Sequence, residues 1–305
     1  MEVIVAKNSA RIDKFLSENL GISRSLAQEY IIKGLVSVNN SLVNKVSKII
    51  KEGDVVHIKS KYLKEDKFEN IQVELKNIEI YKNLEVPILF ENDDIICINK
   101  PVINVNKVGS NPSIYEYLIY KGLKPFIVHR LDKQTTGCLV VAKNYETAEC
   151  LSLLFKNRKV EKIYFAIVEG VVKQNLEIHS AIHHTSTPFR KQVISYGKES
   201  TTIIKVKKYL KKESLARYFA DDIFFNKNIE DFSFLEVQII TGRTHQIRVH
   251  CSEIGHPIVG DTRYSSSVSI SKGRVFLLHS HKISFELWGK KYEFSCLPSW
   301  YILIS

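Results

Sequence analysis

The sequence lacks several features that would place it in a common class of protein. It has five cysteines among 305 residues, at wide spacings and without a CxxC pair, which argues against a disulfide framework or a zinc knuckle. No apolar run approaches the ~18 residues of a membrane-spanning helix. The opening MEVIVAKNSAR lacks the order of charged and apolar residues that marks a secretory signal. We therefore expect a soluble, cytoplasmic protein with no membrane contact.

Motifs for nucleotide and metal chemistry are also missing. The chain has no GxxxxGK[ST], no GxGxxG and no HExxH motif. The segment HSAIHH, with His179, His183 and His184, superficially suggests metal ligands, yet carboxylates are sparse around it. We therefore predict no metal site in this chain.

Basic residues outnumber acidic ones, 44 to 33, which gives a formal net charge of +11. This excess indicates an anionic partner, nucleic acid first, although charge that serves only solubility is the alternative. The apolar fraction of 44% and the charged fraction of 25% are those of a globular protein. These values exclude a disordered, collagen-like or coiled-coil chain.

Residues 1–60 are predicted to form a small domain of their own. Apolar residues at helical spacing predict two short helices, over residues 9–21 and 25–33. LVSVNNSLVNK predicts a strand, a turn and a strand, and VVHI predicts a further strand. Residues 61–80 are charged and weakly periodic, so we interpret them as a linker.

Residues 81–305 form the second predicted domain, in which strands outnumber helices. ILFEN and IICINK predict a hairpin, and short helices are expected at residues 113–120 and 145–155. The longer strands that follow do not alternate regularly with helices. We therefore predict an α+β body on a large, mainly antiparallel sheet, with a patternless insertion at residues 210–230 inside one hairpin.

The segment HRLDKQTTG places a single carboxylate among cations. Asp132 lies between Arg130 and Lys133, and His129 precedes them. Opposite charges within a few ångströms favour an ionised carboxylate, which suits a nucleophile or an electrostatic anchor better than a general acid. On composition alone, a structural salt-bridge cluster is the commoner alternative.

A second basic segment, TGRTHQIRVH, carries two arginines and two histidines. If the residues after Gly242 are helical, Thr244 and Arg248 share one face and Arg243 points elsewhere. Arg248 can then meet a carboxylate and Arg243 a phosphate, because a guanidinium fits both. An amphipathic helix with an exposed basic side is the alternative.

Three stretches of the first domain, RIDKFL, ISRSLAQEYIIKGLVSVNN and EGDVVHI, resemble the S4 RNA-binding module in order and spacing. The resemblance covers roughly residues 10–58. It implies that basic side chains follow an RNA backbone, with contacts from Arg11, Arg24 and Lys33 through phosphates and shape. A solvated charged face is the alternative.

The body resembles the RluA-type pseudouridine synthases. The resemblance rests on ILFENDDIICINKP, HRLDKQTTGCLVVAKN, KIYFAIVEG, LEVQIITGRTHQIRVHCSEIGHPIVGDTRY and FLLHSHKISF, in that order. It covers nearly the whole chain apart from the linker and the insertion, and an S4 module commonly precedes such a body. It implies that uridine in RNA is isomerised to pseudouridine without a metal or an organic cofactor, after the base has flipped out of its stack.

The resemblance also implies three catalytic residues. Asp132 matches the aspartate that participates in breaking the C1′–N1 bond; whether it attacks the sugar, attacks the base or helps to remove a sugar proton stays open. Tyr164 matches a tyrosine that packs against the target base; whether it also assists proton removal from C5 stays open, and a buried core tyrosine is the alternative. Arg248 matches the arginine that pairs with the aspartate.

Substrate contacts are implied for four further residues. Arg130 is expected near an RNA phosphate or in the space of the flipped base, and Arg243 near a phosphate. Leu277 and Leu278 are expected to form an apolar wall of the uracil pocket. After INKP the chain departs from the family: VINVNKVGSNP lacks the usual glycine turn and histidine, so the RNA contacts of this loop stay open.

Two rival functions are open at this stage. The first is a non-catalytic RNA-binding protein, against which the joint presence of Asp132, Tyr164 and Arg248 argues. The second is a nucleoside hydrolase or glycosylase, for which the sequence offers no water-activating base or metal. An S4 module before this body is typical of enzymes that act on large-subunit ribosomal RNA, which we expect as the substrate ahead of transfer RNA. We expect a monomer.

Overall fold

The computed structural model describes residues 2–20, 24–32, 34–59, 78–106, 111–183, 192–193, 197–225, 229–270 and 275–304. The chain divides into two compact units, Met1–Val73 and Glu74–Ser305. Most of the predicted linker, and Lys33 and His184, lie outside the described residues. In the described ranges, no helix has both the length and the apolar character needed to cross a membrane.

The first unit packs two helices against small sheets. Its elements are β1 (Glu2–Val5), β2 (Ala10–Arg11), α1 (Ile12–Leu20), α2 (Arg24–Ile32), β3 (Val36–Val38), β4 (Ser41–Leu42), β5 (Ile49–Ile50) and β6 (Val55–Ile58). The sheet order is β1-β6-β3-β4, and β2 pairs with β5. Asn39 and Asn40 at the β3–β4 turn have φ values of 50° and 66°, which confirms the turn that the sequence predicts there.

The second unit contains most of the strands. Its elements up to residue 183 are α3 (Ile78–Lys82), β7 (Ile88–Glu91), β8 (Ile95–Lys100), α4 (Ile114–Tyr120), β9 (Phe126–Ile127), β10 (Thr136–Ala142), α5 (Tyr145–Lys156), β11 (Glu161–Glu169) and β12 (Leu176–His183). The later elements are β13 (Gln192–Val193), β14 (Lys198–Lys211), α6 (Lys212–Phe219), β15 (Ile223–Phe225), β16 (Asp231–Ile239), α7 (Gln246–Glu253), β17 (Val268–Ile270), β18 (Leu278–Leu287) and β19 (Lys290–Ser295).

Eleven of these strands form one sheet. Its order is β13-β12-β14-β16-β11-β18-β10-β8-β7, with β19 paired to β18 and β9 paired to β10. Among the described strands of this sheet, β10 and β18 pair in parallel and the other pairs are antiparallel. This topology confirms the predicted α+β body on a large, mainly antiparallel sheet. Sequence-distant β18 lies at its centre, between β11 and β10.

Both faces of the sheet are covered by apolar layers, so alternate residues of the central strands enter different cores. In β11, Tyr164 and Ala166 pack in a core that includes residues of α4 and α7. Phe165 and Ile167 point to the opposite face, into a core that α6, β15 and β17 complete. The face that carries Tyr164 is the one next to the HRLD segment, because Leu131 belongs to the same core.

The insertion at residues 210–230 is more ordered than the sequence pattern indicates. It lies between β14 and β16, which do form the expected hairpin, but it contains α6 and β15. Leu215 of α6 is fully buried, and β15 pairs antiparallel with β17. The prediction of a patternless segment is therefore wrong for residues 212–225, where a short amphipathic helix and a three-residue strand pack on the sheet.

Gly137 is required where β10 passes β18. Its φ is +107°, and a Cβ at this position would collide with the backbone of Ser280 in β18. Glycine avoids both the strained conformation and the collision. The short parallel pairing of Thr136 and Gly137 with His279 and Ser280 thereby brings the end of the HRLD segment to the centre of the sheet.

Candidate active site

Asp132 lies in a turn that ends just before β10. The N–H of Thr135 donates to the carbonyl of Asp132 at 3.1 Å. The fully buried Lys100, at the end of β8, holds this turn because its Nζ donates to the carbonyl oxygens of Pro101, Ile103 and Lys133 at 2.8, 2.8 and 3.1 Å. Burial lowers the pKa of Lys100 to about 7, although the charge of Asp132 opposes the shift.

Arg248 reaches Asp132 from the first turn of α7. This helix begins at Gln246, later than the expected start after Gly242, because His245 takes a left-handed φ of 62°. Gln246 fixes the preceding loop, since its Oε1 accepts from Thr241 Oγ1 at 2.7 Å and from the N–H of Arg243 at 3.0 Å. The loop therefore sets the position from which Arg248 enters the site.

The guanidinium of Arg248 joins two carboxylates. Its Nη1 donates to Asp132 Oδ2 at 2.9 Å. Its Nε and Nη2 donate to Asp261 Oδ2 and Oδ1 at 2.6 and 2.9 Å, so Asp261 receives the bidentate fork. Burial by itself would lower the pKa of Arg248, but the hydrogen bonds and charge of Asp261 raise it. Arg248 is therefore a fixed cation that orients Asp132.

Two aromatic rings enclose the same guanidinium. The Cζ of Arg248 lies 4.9 Å from the ring centroid of Tyr264 and 4.5 Å from that of Phe276. His245 adds a second partner for the Asp132 carboxylate, because its Nε2 lies 3.6 Å from Asp132 Oδ2 and its Nδ1 lies 2.8 Å from Tyr264 Oη. These contacts restrict both the position and the rotation of the Arg248 side chain.

A cavity of about 480 Å³ opens beside this ion-pair cluster. Asp132 and Arg248 line it together with Tyr164 and Leu278. Arg248 and His245 both contact Oδ2 of Asp132, and Oδ1 has no hydrogen-bond partner among the described residues. The cavity therefore combines an available carboxylate oxygen with a phenol ring and an apolar wall.

The predicted substrate residues separate into two groups. Arg130, Arg243 and Leu278 line the cavity. Leu277 does not belong to the described lining; it is fully buried in the core on the opposite face of the sheet. The expectation that both leucines form one wall is therefore corrected, because side chains of adjacent residues in extended backbone point to opposite faces.

Two of the three predicted RNA contacts of the first unit, Arg11 and Arg24, form ion pairs with the same carboxylate. Arg11 Nη2 and Arg24 Nη2 lie 3.0 and 3.1 Å from Oδ2 of Asp13, whose side chain is fully buried. Burial would raise the pKa of Asp13, but hydrogen bonds from Arg11, Gln28 and Arg24 lower it well below its usual range. Both arginines remain about half exposed, so each keeps nitrogen atoms in contact with solvent.

Two cavity side chains have a protonation state set by burial. Burial raises the pKa of Tyr164 well above its usual value, with the charge of Asp132 acting in the same direction and a hydrogen bond with Ser280 against it. Burial and the nearby charge of Lys162 lower the pKa of His129 to about 3. Its Nε2 accepts from the N–H of Val140 at 3.0 Å, so this histidine holds the backbone of β10.

Sequence reasoning misses Asp261, His245 and Lys100 as parts of the site. Asp261 is only 2% exposed, and the one sequence signal for it is an acidic residue in the quoted motif GHPIVGDTRY. In the sequence, His245 appears only as one of the two histidines of TGRTHQIRVH, with no role of its own. Among the described residues, no group of three His, Cys, Asp or Glu side chains is placed to hold a metal ion.

Comparison with known proteins assigns both units. The family model described as RNA pseudouridylate synthase matches residues 92–253, and the S4 domain model matches residues 10–56. A protein of Aquifex aeolicus named an uncharacterized RNA pseudouridine synthase is 35% identical over 88% of this chain and 82% of its own length. Ribosomal large subunit pseudouridine synthase C of Rickettsia felis is 30% identical over 93% of this chain and 91% of its own length.

A solved structure supports the same assignment. The human protein named RNA Pseudouridylate Synthase Domain Containing 1 has a TM-score of 0.57 and 26% sequence identity with this chain. The similarity covers 70% of this chain and 84% of the human one.

Proposed function

Because the chain belongs to the RNA pseudouridylate synthase family, we propose that it isomerises specific uridines of large-subunit ribosomal RNA, with Asp132 as the catalytic carboxylate. One observation carries the assignment of Asp132. Its carboxylate lies on the cavity wall, Arg248, itself held by Asp261, binds one of its oxygens, and the other oxygen has no partner in the described part of the chain.

The reaction breaks the bond between N1 of uracil and C1′ of ribose and forms a bond between C5 and C1′. C5 loses its hydrogen as a proton to solvent and N1 takes up a proton, so the product is an isomer of uridine. The uracil stays bound while it turns, so no water molecule has to be activated, and a second carboxylate of the kind that a glycosidase uses is not needed. In this proposal Oδ1 of Asp132 is the atom that acts on the nucleotide. Arg248 keeps this oxygen at a fixed place in the cavity.

Tyr164 and Leu278 hold the base in this proposal. Both line the cavity, and the raised pKa of Tyr164 keeps its phenol neutral at physiological pH. A neutral phenol can pack against the uracil ring, but it is not in the ionised form that would accept the proton from C5. Arg130 and Arg243, which line the same cavity, contact the RNA backbone around the flipped nucleotide.

The substrate assignment rests on the relatives and on the S4 domain. The relative from Rickettsia felis carries a name that refers to the large ribosomal subunit. The half-exposed arginines Arg11 and Arg24, held by Asp13, form a site for RNA phosphates. A monomeric enzyme in the cytoplasm completes the proposal; light scattering of the purified chain and cell fractionation test these two points.

The decisive experiment compares Asp132→Asn with the wild type on large-subunit RNA labelled with tritium at C5 of uridine. We expect no tritium release by the variant and nearly unchanged RNA binding, because the amide keeps the shape of the side chain but is neither nucleophile nor base. Asp231→Asn, which changes an exposed carboxylate paired with Lys211, is the control and keeps full activity. Turnover of more than a few per cent by Asp132→Asn rejects the assignment.

The same samples separate the rival functions. Free uracil among the products indicates a glycosylase, and RNA binding by a wild type that never releases tritium indicates a non-catalytic protein. Maps of pseudouridine in cellular RNA, made with and without this protein, identify the substrate. Pseudouridines that disappear only from transfer RNA contradict the ribosomal assignment.

A further inference from the structure

Lys162 is a buried cation in the wall of the cavity, with no counterion among the described residues. The residue is 8% exposed and lines the cavity beside Tyr164. It has no hydrogen bond and no ion pair with any residue that the structure describes, and burial lowers its pKa. An isolated ammonium group is costly to remove from water, so folding alone gives no reason to hold one there.

The strand β11 fixes the place of this ammonium group. Lys162 and Tyr164 are two residues apart in β11, so their side chains emerge on the same face of the sheet. The Nζ of Lys162 lies beside the loop before α7, because a Cβ built on Gly242 would be 3.9 Å from it. The ionisable side chain that faces it from the HRLD segment is His129, which burial keeps neutral.

The surrounding charges leave the positive charge of Lys162 unbalanced. Among the described residues of the cavity wall, Asp132 is the one acidic side chain, and it already forms an ion pair with Arg248. The other basic side chains of the wall are Arg130, Lys156, Arg158 and Arg243. A low-dielectric wall with this excess of cations attracts and holds an anion.

We propose that Lys162 binds a phosphate oxygen of the RNA strand at the nucleotide that is flipped into the cavity. This proposal rests on the proposed function, since it deepens the description of the same substrate. A carbonyl oxygen of uracil would leave the ammonium charge uncompensated, whereas a phosphate neutralises it. Lys162 therefore anchors the backbone of the target nucleotide while its base lies against Tyr164 and Leu278.

The first test uses the full chain with Lys162→Met, Lys162→Gln and Lys162→Arg. The probe is a transcript of the large-subunit RNA region in which the maps place the modified uridine. We expect Kd and KM to rise at least tenfold for the Met and Gln variants and the salt dependence of log Kd to flatten by about 0.7. At saturating RNA, kcat stays within a few fold of wild type, and Lys162→Arg retains most of the binding.

A matched control removes a lysine charge outside the cavity. Lys291, an exposed lysine of β19, does not line the cavity, so Lys291→Met leaves Kd, its salt dependence and kcat unchanged. Thermal melting of the free proteins adds a second readout. Because Lys162→Met removes an unpaired buried charge, its melting temperature equals or exceeds that of wild type, whereas removal of a structural lysine lowers it.

The second test identifies the phosphate. Single methylphosphonate groups, which carry no charge, replace the phosphates around the target uridine one at a time. Wild type loses affinity when the phosphate bound by Lys162 is neutralised, and Lys162→Met is insensitive to the same replacement. Additive losses of affinity at every phosphate overturn the proposal.

The outcomes keep the two proposals apart. Wild type that binds the RNA without releasing tritium rejects the proposed function, and the salt and methylphosphonate data still judge the role of Lys162. An active wild type with an unchanged salt slope in Lys162→Met rejects the phosphate contact alone. A large fall in kcat with an unchanged Kd likewise overturns it, because Lys162 would then act on the reacting base.

Discussion

Arg248 divides its three donor nitrogens between two carboxylates, and the division is unequal. Asp261 receives two of them and Asp132 receives one. The side chain that holds Arg248 most firmly is thus a residue with no proposed contact with the uracil. At the scale of single residues, the orientation of the proposed catalytic carboxylate depends on Asp261, which lies 13 positions after Arg248 in the chain.

Replacing Asp261 by asparagine tests this dependence. The amide accepts only through its oxygen, and its NH₂ group faces a guanidinium N–H, so one of the two hydrogen bonds of the fork is removed. We expect kcat to fall tenfold or more, since one charged hydrogen bond contributes about 1.5–3 kcal/mol. Kd for RNA should change little, and Asp231→Asn again serves as the control. An unchanged kcat would mean that the rings of Tyr264 and Phe276 suffice to hold Arg248.

Lys100 predicts a pH dependence of stability. Its pKa is about 7 in the folded protein, below the value of about 10.4 in an unfolded chain. Between these values the unfolded state binds the extra proton, so the stability of wild type relative to Lys100→Met rises with pH. The gain is up to about 1.4 kcal/mol per pH unit in this window. Thermal melting of both proteins near pH 7 and near pH 9 measures it, and a difference that shrinks as the pH rises contradicts the low folded-state pKa.

At the scale of elements, the hairpins and most helices were predictable from local signals. ILFEN and IICINK form the hairpin of β7 and β8. The helices α4 and α5 lie where the sequence predicts helices, and Ser113 and Asn144 cap them. The helix α6 escaped prediction because its N-cap, Lys211, makes no side-chain capping bond and its apolar stripe is short. Three-residue strands such as β15 and β17 are too short for any periodic signal.

The site was predictable where the family motifs supply both partners of a contact. The pair of Asp132 and Arg248 follows from the family motifs, and the structure joins them at 2.9 Å. Asp261 has no such signal, since its contact with Arg248 depends on how the loop after α7 folds back. The sequence also does not show that Lys162 lacks an ion-pair partner among the described residues. That depends on which side chains pack around the cavity, and the position of Lys162 along its strand does not determine it.

Gly137 allows a prediction about the junction of β10 and β18. We expect Gly137→Ala to destabilise the second unit by more than about 1 kcal/mol, because it adds backbone strain and a collision with Ser280. Gly289→Ala is the matched control, since Gly289 also has a positive φ but open space where its Cβ would lie. An equal fall of melting temperature in the two variants would show that strain alone matters at Gly137.

At the scale of the whole molecule, the two units divide binding and chemistry. The proposed catalytic residues all belong to the unit Glu74–Ser305, whereas Arg11 and Arg24 belong to Met1–Val73. Each unit has its own buried core, which is what independent folding requires. We therefore predict that the S4 domain adds affinity for RNA without adding groups to the reaction.

Deletion of residues 1–73 tests this division. We expect weaker RNA binding and a salt dependence that flattens by about 0.7–0.9 for each phosphate that the shortened chain no longer binds. The single-turnover rate at saturating RNA should stay close to wild type. A chain that remains folded by circular dichroism but has a much reduced single-turnover rate would show that the S4 domain helps to build the active site.

The central position of β18 also has a consequence for the order in which the protein is made. Strands β7–β10 come from residues 88–142, and strands β11–β14 and β16 come from residues 161–239; in the described sheet β18 joins these two halves. Asp132 belongs to the first half, and Tyr164 to the second. On the ribosome every proposed catalytic side chain thus emerges before the strand that unites the halves. Closing so distant a contact is slow, so we expect a growing chain to fold its RNA-binding domain first and to complete the proposed active site only after β18 has been made.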